Sequence, residues 1–179
     1  MATPHTEVLV FACNWDGWSC IEAIADLGVC YPASVKVVRV SCLSRIHVGL
    51  ILKAFEFGAD GVVLLGCEPG RCHFNINGKY IINEYGKARS ILKMLGMRQD
   101  RLALIQLPAF SGHEFVIQVK NFIVGIERLS PSKRAKITGP KPVQSILPSF
   151  PVGHYVHDCL RCSTVAVINF STLFQCLVS

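Results

Sequence analysis

Four short apolar stretches, each followed by a stretch with helical spacing, dominate the first part of the chain and restrict its fold. The apolar stretches are EVLVFA (7–12), VKVVRVS (35–41), GVVLLG (61–66) and RLALIQL (101–107). Strands that alternate with helices are joined by right-handed crossovers and form a parallel sheet. The strands are apolar almost throughout, as expected when helices cover both faces of the sheet.

The stretches between the strands carry apolar side chains at intervals of three and four residues, which is typical of amphipathic helices. The predicted helices cover residues 19–28, 47–58, 79–96 and 113–126. We expect Ile21, Ile24 and Leu27 on the buried face of the first helix, and Leu95 at the end of the apolar stripe of the third. The predicted fold class is α/β: a small, doubly wound, flavodoxin-like four-stranded parallel sheet, in the order 2-1-3-4, with a non-regular C-terminal tail.

The pattern stops after residue 130. The segment SPSKRAKITGPKPVQSILPSFP contains five of the nine prolines, so it is not expected to form a regular element. We predict one domain over 1–130, and a Pro-rich linker and tail over 131–179. The final stretch, VAVINFSTLFQCLVS, is compatible with a strand, a partner-docking segment or core packing.

Charge and hydropathy exclude two classes of partner. Lys and Arg outnumber Asp and Glu by 13 to 11 in 1–130 and by 5 to 1 in 131–179. No basic stripe with interleaved aromatic residues is present, so we do not expect nucleic acid binding. No apolar run is long enough to span a membrane, and the N-terminal residues lack the features of a signal peptide. We therefore expect a cytoplasmic chain.

Nine cysteines are many for a compartment that keeps thiols reduced. Because the number is odd, they cannot all form disulfides within one chain. In a reducing compartment, such cysteines indicate metal, cluster or redox chemistry.

Three cysteines, Cys13, Cys42 and Cys67, come at the ends of the first three predicted strands. Neighbouring parallel strands lie about 4.8 Å apart and end at one rim, so these thiols should lie close together. The same rim is where open α/β sheets bind ligands. Cys72, in the Gly- and Pro-containing loop GCEPGRCHF, can fold back over it. Four thiolates are a normal ligand set for an iron–sulfur cluster. Zinc also binds four cysteines, and a single buried cysteine needs no function at all.

Two other redox functions fit the sequence less well. A thiol–disulfide enzyme would use a pair such as Cys67 and Cys72, whose spacing is wider than the C-x-x-C redox motif. A flavin carrier would need a Ser-, Thr- and Gly-rich phosphate loop after the first strand, where this chain has CNWDGWSC. No catalytic set is evident, so we expect an electron relay rather than a complete enzyme.

The segments FACNW, YPASVKVVRVSC and AFEFGADGVVLLGCEPGRCHF, in this order, resemble the delta (iron–sulfur) subunit family of methyl-viologen-reducing hydrogenase. The resemblance covers most of 7–126. It implies an electron-transfer subunit with a 2Fe–2S cluster on Cys13, Cys42, Cys67 and Cys72. The implied partners are a nickel–iron hydrogenase or a formate dehydrogenase on one side, and the flavoprotein A component of heterodisulfide reductase on the other.

One position departs from that family. Relatives often have Cys-Asn-Trp-Cys where this chain has Cys-Asn-Trp-Asp, with Asp16 in the last place. Two residues could replace that cysteine as a ligand: Asp16 through an oxygen atom, or Cys20, one helical turn further on, through its thiolate. The simpler interpretations are an N-cap role for Asp16 and a packing role for Cys20.

The tail contains a second group of potential ligands in HYVHDCLRC. His154, His157, Cys159 and Cys162 have metal-ligand spacing, and Cys176 follows further on. A single C-x-x-C pair is weak evidence for a metal, so an unstructured or partner-bound tail is the simpler expectation.

Overall fold

The computed structural model describes residues 6–74, 78–129 and 167–169 of the chain. The strands are β1 (Val8–Cys13), β2 (Val35–Val40), β3 (Gly61–Gly66), β4 (Leu102–Gln106) and β5 (Val167–Asn169). The helices are α1 (Asp16–Asp26), α2 (Val48–Glu56), α3 (Lys79–Met94) and α4 (Gly112–Arg128). Short 3-10 helices cover Leu43–Arg45 and Gln99–Arg101.

The strands form one parallel sheet in the order β4-β3-β1-β2-β5. The α/β fold class and the predicted order of the first four strands are therefore confirmed. The short β5 extends the sheet beyond β2, where Val167 pairs with Val37. It lies in the final stretch, for which a strand was one of the interpretations that the sequence left open.

Helices cover both faces of the sheet, as the apolar strands predicted. Between the sheet and helices α1 and α4, the core includes Ile24, Phe115 and Val119. On the opposite face, Ile51 of α2 and Leu92 of α3 belong to a second core. Each fully buried aliphatic or aromatic side chain stabilises the fold by about 1.5–3 kcal/mol relative to an exposed one. Two such cores fix the sheet, and thereby the rim where its strands end.

Two predicted core positions are wrong. Leu27 and Leu95 are 55% and 65% exposed, because each follows the last turn of its helix as the C-cap residue. The next residues, Gly28 and Gly96, adopt positive φ values of 62° and 74°, a backbone region that ends helices and favours glycine. The chain turns away from the core before either leucine can reach it.

Glycine lets the start of α1 approach the sheet closely. A Cβ atom on Gly17 would lie 2.6 Å from the carbonyl oxygen of Leu65 and 3.1 Å from Cys13 Sγ. Leu65 belongs to β3 and Cys13 to β1. The first turn of α1 is therefore held against the carboxyl ends of two neighbouring strands, which positions its backbone N–H groups next to the thiols there.

Candidate metal centre

The four cysteines selected from the sequence line one cavity of about 50 Å³ at the carboxyl ends of the strands. Cys13 is the last residue of β1, and Cys67 directly follows β3. Cys42 caps the 3-10 helix after β2, and Cys72 lies in the loop after β3. All four are free thiols. Topology therefore brings residues that are up to 59 positions apart to one cavity.

Cys13 and Cys67 lie in contact, with 3.5 Å between their Sγ atoms. Two thiolates bound to one tetrahedral metal through bonds of about 2.3 Å are about 3.8 Å apart, so this pair has nearly the spacing of shared ligands. Within the described ranges, no group of three or more His, Cys, Asp or Glu side chains is close enough to hold a single metal ion. The four thiols thus comprise one tight pair and two further thiols on the same cavity.

Backbone N–H groups donate hydrogen bonds to three of these sulfurs. Gly17 N donates to Cys13 Sγ at 3.2 Å, and the Asp16 N–H donates to the sulfur of Cys67. Ser44 donates to Cys42 Sγ from its N at 3.5 Å and from its Oγ at 3.1 Å. Hydrogen bonds of this kind stabilise negative charge on sulfur and tune the potential of an iron–sulfur centre.

The start of α1 has no side-chain cap. The first N–H groups of a helix need partners outside the helix, and here two sulfur atoms accept from its first two residues, Asp16 and Gly17. The positive end of the helix dipole also favours negative charge at this place. Both features favour the thiolate form of these sulfurs and act against the effect of burial.

Burial, and after it the neighbouring Cys13, raise the pKa of the Cys67 thiol to about 12. The N–H of Asp16 acts against both effects. In the absence of a cation, Cys67 therefore keeps its proton at neutral pH. A bound metal has to displace that proton, which couples metal affinity to pH.

The N-cap role expected for Asp16 is wrong. Trp15 occupies the N-cap position, and Asp16 is the first helical residue. The Oδ2 atom of Asp16 is buried and has no hydrogen-bond partner. The side chain thus lacks the local structural role that the sequence favoured.

Cys20 packs in the core, as expected. Its Sγ donates to the carbonyl oxygen of Pro108 at 3.2 Å, and burial raises its pKa to about 11. It belongs to the core between the sheet and α4 and does not line the cavity. The structure therefore does not bring Cys20 together with the other four thiols.

Several contacts around the cavity were not predicted from the sequence. The Trp15 ring stacks on His73 with 3.4 Å between ring centroids, and Phe74 meets the Trp15 ring edge-on at 6.2 Å. This stack joins the loops after β1 and β3, next to Cys72 in the chain. No spacing rule finds it, because the two stacked residues are 58 positions apart in the chain.

The second group of potential ligands, His154, His157, Cys159, Cys162 and Cys176, lies outside the described residues. Among the helices that are described, none is long and apolar enough to cross a membrane.

The described part of the chain is thus a parallel α/β domain with free thiols gathered at the carboxyl ends of its strands. The chain belongs to the methyl-viologen-reducing hydrogenase delta subunit family, whose profile matches residues 8–130. The resemblance seen in the sequence is therefore confirmed, and the match includes all four cysteines of the cavity.

Individual relatives come from two kinds of protein. The chain is 31% identical over 126 residues to the iron-sulfur subunit of the F420-non-reducing hydrogenase of Archaeoglobus profundus, a match that covers 70% of this chain and 92% of that protein. It is 30% identical over 133 residues to the iron-sulfur subunit of the vhc F420-non-reducing hydrogenase of Methanococcus voltae, covering 74% of this chain and 92% of that protein.

A third relative is much longer than this chain. The chain is 30% identical over 135 residues to the A component of the ferredoxin:CoB-CoM heterodisulfide reductase of Methanosarcina mazei. That match covers 73% of this chain but only 17% of the larger protein. The delta subunit fold is thus related both to separate hydrogenase subunits and to one part of a heterodisulfide reductase component.

Proposed function

We propose that the chain is an electron-transfer subunit that holds a 2Fe–2S cluster on Cys13, Cys42, Cys67 and Cys72. The observation that carries this proposal is the convergence of four free thiols on one cavity. We assign the role to the domain of residues 1–130, because the family match spans 8–130. The names of two relatives, each an iron-sulfur subunit of a hydrogenase, support a cluster.

The arrangement of the thiols supports two irons over one zinc ion. A structural zinc site needs four donors around one point, whereas no three metal-binding side chains gather in that way within the described residues. A 2Fe–2S cluster takes two cysteines on each iron. A tight pair, Cys13 with Cys67, and two further thiols on one cavity fit that requirement.

A thiol–disulfide enzyme is less well supported. Such an enzyme needs a thiolate at neutral pH, and burial raises the pKa of Cys67 to about 12. When bound, the cluster supplies one-electron chemistry. The chain holds it through the four thiolates, and the N–H groups of Asp16, Gly17 and Ser44 disperse negative charge from the sulfurs.

The relatives suggest where the electrons come from and go to. We propose that the protein relays electrons between a hydrogenase and the flavoprotein A component of a heterodisulfide reductase, because its relatives bear the names of both enzymes. A formate dehydrogenase is an alternative partner on the hydrogenase side. We further propose a cytoplasmic location, since cluster ligation requires cysteines that stay reduced.

The test is the iron and acid-labile sulfide content of anaerobically purified protein, with visible and EPR spectra after reduction. We expect two irons and two sulfides per chain, which is the composition of a 2Fe–2S centre. Separate alanine replacements of Cys13, Cys42, Cys67 and Cys72 should each abolish the cluster absorbance. The matched control is Cys20→Ala, which removes a buried thiol outside the cavity and should leave the absorbance unchanged.

Three outcomes contradict the proposal. Full cluster absorbance in one of the four variants removes that cysteine from the ligand set. Bound zinc, with no iron after anaerobic reconstitution, favours a structural zinc site. A reversible two-electron titration without bound iron favours thiol–disulfide chemistry.

A further inference from the structure

The Asp16 side chain is half-buried, and one of its carboxyl oxygens has no role in the site described above. Its Oδ2 atom is inaccessible to solvent and has no hydrogen-bond partner. Leaving a buried polar atom unpaired costs free energy. Glu84 shows how this chain satisfies a carboxylate elsewhere: it accepts from the N–H of Val48 at 3.0 Å and from Lys87 Nζ at 2.7 Å.

Asp16 lies close to the thiols of the cavity. It is the first residue of α1, three positions after Cys13, and the N–H of the next residue, Gly17, donates to Cys13 Sγ at 3.2 Å. In agreement with this position, the negative charge of Asp16 contributes to the raised pKa of the Cys67 thiol.

None of the salt bridges found among the described residues includes Asp16. Arg39 is engaged elsewhere, because its Nε donates to Asn14 Oδ1 and its guanidinium stacks on the Trp18 ring. Arg71 is largely exposed and pairs with Glu68. Solvent screens a partly buried negative charge less than an exposed one, so such a charge acts over a longer range.

We infer that the Asp16 carboxylate lowers the reduction potential of the centre held by Cys13, Cys42, Cys67 and Cys72. The inference rests on the proposed cluster. Reduction transfers one electron from a low-potential donor to the oxidised centre, with no covalent bond formed or broken and no proton moved. That electron enters a site already surrounded by four thiolates, and a fixed negative charge beside it disfavours the transfer.

The inferred effect comes from the negative charge of Asp16 and not from a bond between its oxygen and iron. If Asp16 were a ligand of a metal held by Cys13 and Cys67, three metal-binding side chains would gather around one point. The described residues contain no such group. The four cysteines already supply the full ligand set of a 2Fe–2S centre.

The test is an EPR-monitored redox titration, with dithionite as reductant, of the wild-type chain and of the Asp16→Asn variant. Asparagine has nearly the same shape as aspartate but no charge. We expect the variant to keep its iron and sulfide, and its reduction equilibrium to shift at least tenfold towards the reduced form. For a one-electron couple, this shift is about 59 mV in the positive direction. Asp16→Ala is a second neutral variant, for the case that the asparagine variant does not fold.

The matched control is Asp26→Asn, which makes the same change in net charge at the exposed far end of α1. Ten residues of helix separate the two positions by about 15 Å, beyond the Debye length of about 8 Å at physiological salt. We expect less than a twofold shift in this control. A wild-type potential in both Asp16 variants, with the cluster intact, refutes the inference and leaves the proposed function standing.

Two further outcomes also overturn it. Loss of iron from a folded Asp16→Asn or Asp16→Ala protein would make Asp16 a ligand. A wild-type chain that holds no cluster after anaerobic reconstitution refutes the proposed function, and the inference fails with it.

Discussion

Replacing Gly17 with alanine tests whether the close approach of α1 to the sheet depends on the missing side chain. The new Cβ would lie 2.6 Å from the carbonyl oxygen of Leu65. Leu65 is fully buried in β3, a strand that pairs with β1 on one side and β4 on the other. Neither the new Cβ nor the carbonyl oxygen of Leu65 can therefore move away without disturbing the sheet or shifting the helix.

Inserting a methyl group into a packed site of this kind costs about 1–3 kcal/mol. Alanine has a higher helix propensity than glycine by up to about 1 kcal/mol, which offsets part of that cost. The matched control is Gly125→Ala, since Gly125 lies in α4 and a Cβ there has no other atom within 4 Å. The Gly125→Ala control gains the higher helix propensity of alanine without a steric clash. We therefore expect Gly17→Ala to be less stable than Gly125→Ala by about 1–3 kcal/mol.

The assay is urea unfolding of the metal-free, reduced proteins, followed by far-ultraviolet circular dichroism. With a slope of about 1–3 kcal/mol per molar urea for a small domain, the two midpoints should differ by roughly 1 M. Equal midpoints would refute the reasoning, because they would mean that α1 can shift at no cost. The helix would then not hold the thiols in place.

Two other perturbations follow from the ionisable groups. Burial raises the pKa of Cys20 to about 11, so iodoacetamide at pH 8 should alkylate this thiol roughly a hundredfold more slowly in the folded than in the urea-unfolded chain. Peptide mass mapping measures both alkylation rates. Equal rates would contradict the buried position of Cys20. Lys87 and the N–H of Val48 lower the pKa of Glu84, so its carboxylate stabilises the fold above the unfolded-state pKa and loses that effect as the pH falls through the folded-state pKa. The Glu84→Gln variant should therefore have a lower melting temperature than the wild type at pH 7, and the difference should vanish in acid. A difference in melting temperature that stays constant across a pH series would disprove the linkage.

The fold was largely predictable because buried parallel strands have a simple signature. GVVLLG is apolar throughout, and all six of its residues are buried in β3. Helix ends were less predictable. The periodicity of apolar residues placed the start of the first helix at residue 19, whereas α1 begins at Asp16. Periodicity carries no information about a first turn whose N–H groups bind sulfur atoms from other elements.

The candidate site was predictable only as far as topology determines it. Cysteines that follow neighbouring strands must share a rim, and Cys13, Cys42 and Cys67 do line one cavity. The hydrogen-bond donors to those sulfurs, and the unpaired oxygen of Asp16, depend on how α1 docks. Such docking follows from the packing of the core between the sheet and helices α1 and α4, which a single sequence does not reveal.

Helix α1 begins without a side-chain cap, and this ties its stability to the state of two sulfur atoms that are 54 positions apart in the chain. A thiolate accepts a stronger hydrogen bond than a neutral thiol, because charge-assisted bonds are shorter and stronger. Ionisation of Cys67 therefore tightens the first turn of α1, and protonation loosens it. The same atoms that would bind iron also close the end of a helix, so the secondary structure of this domain and the chemistry at its rim cannot vary independently.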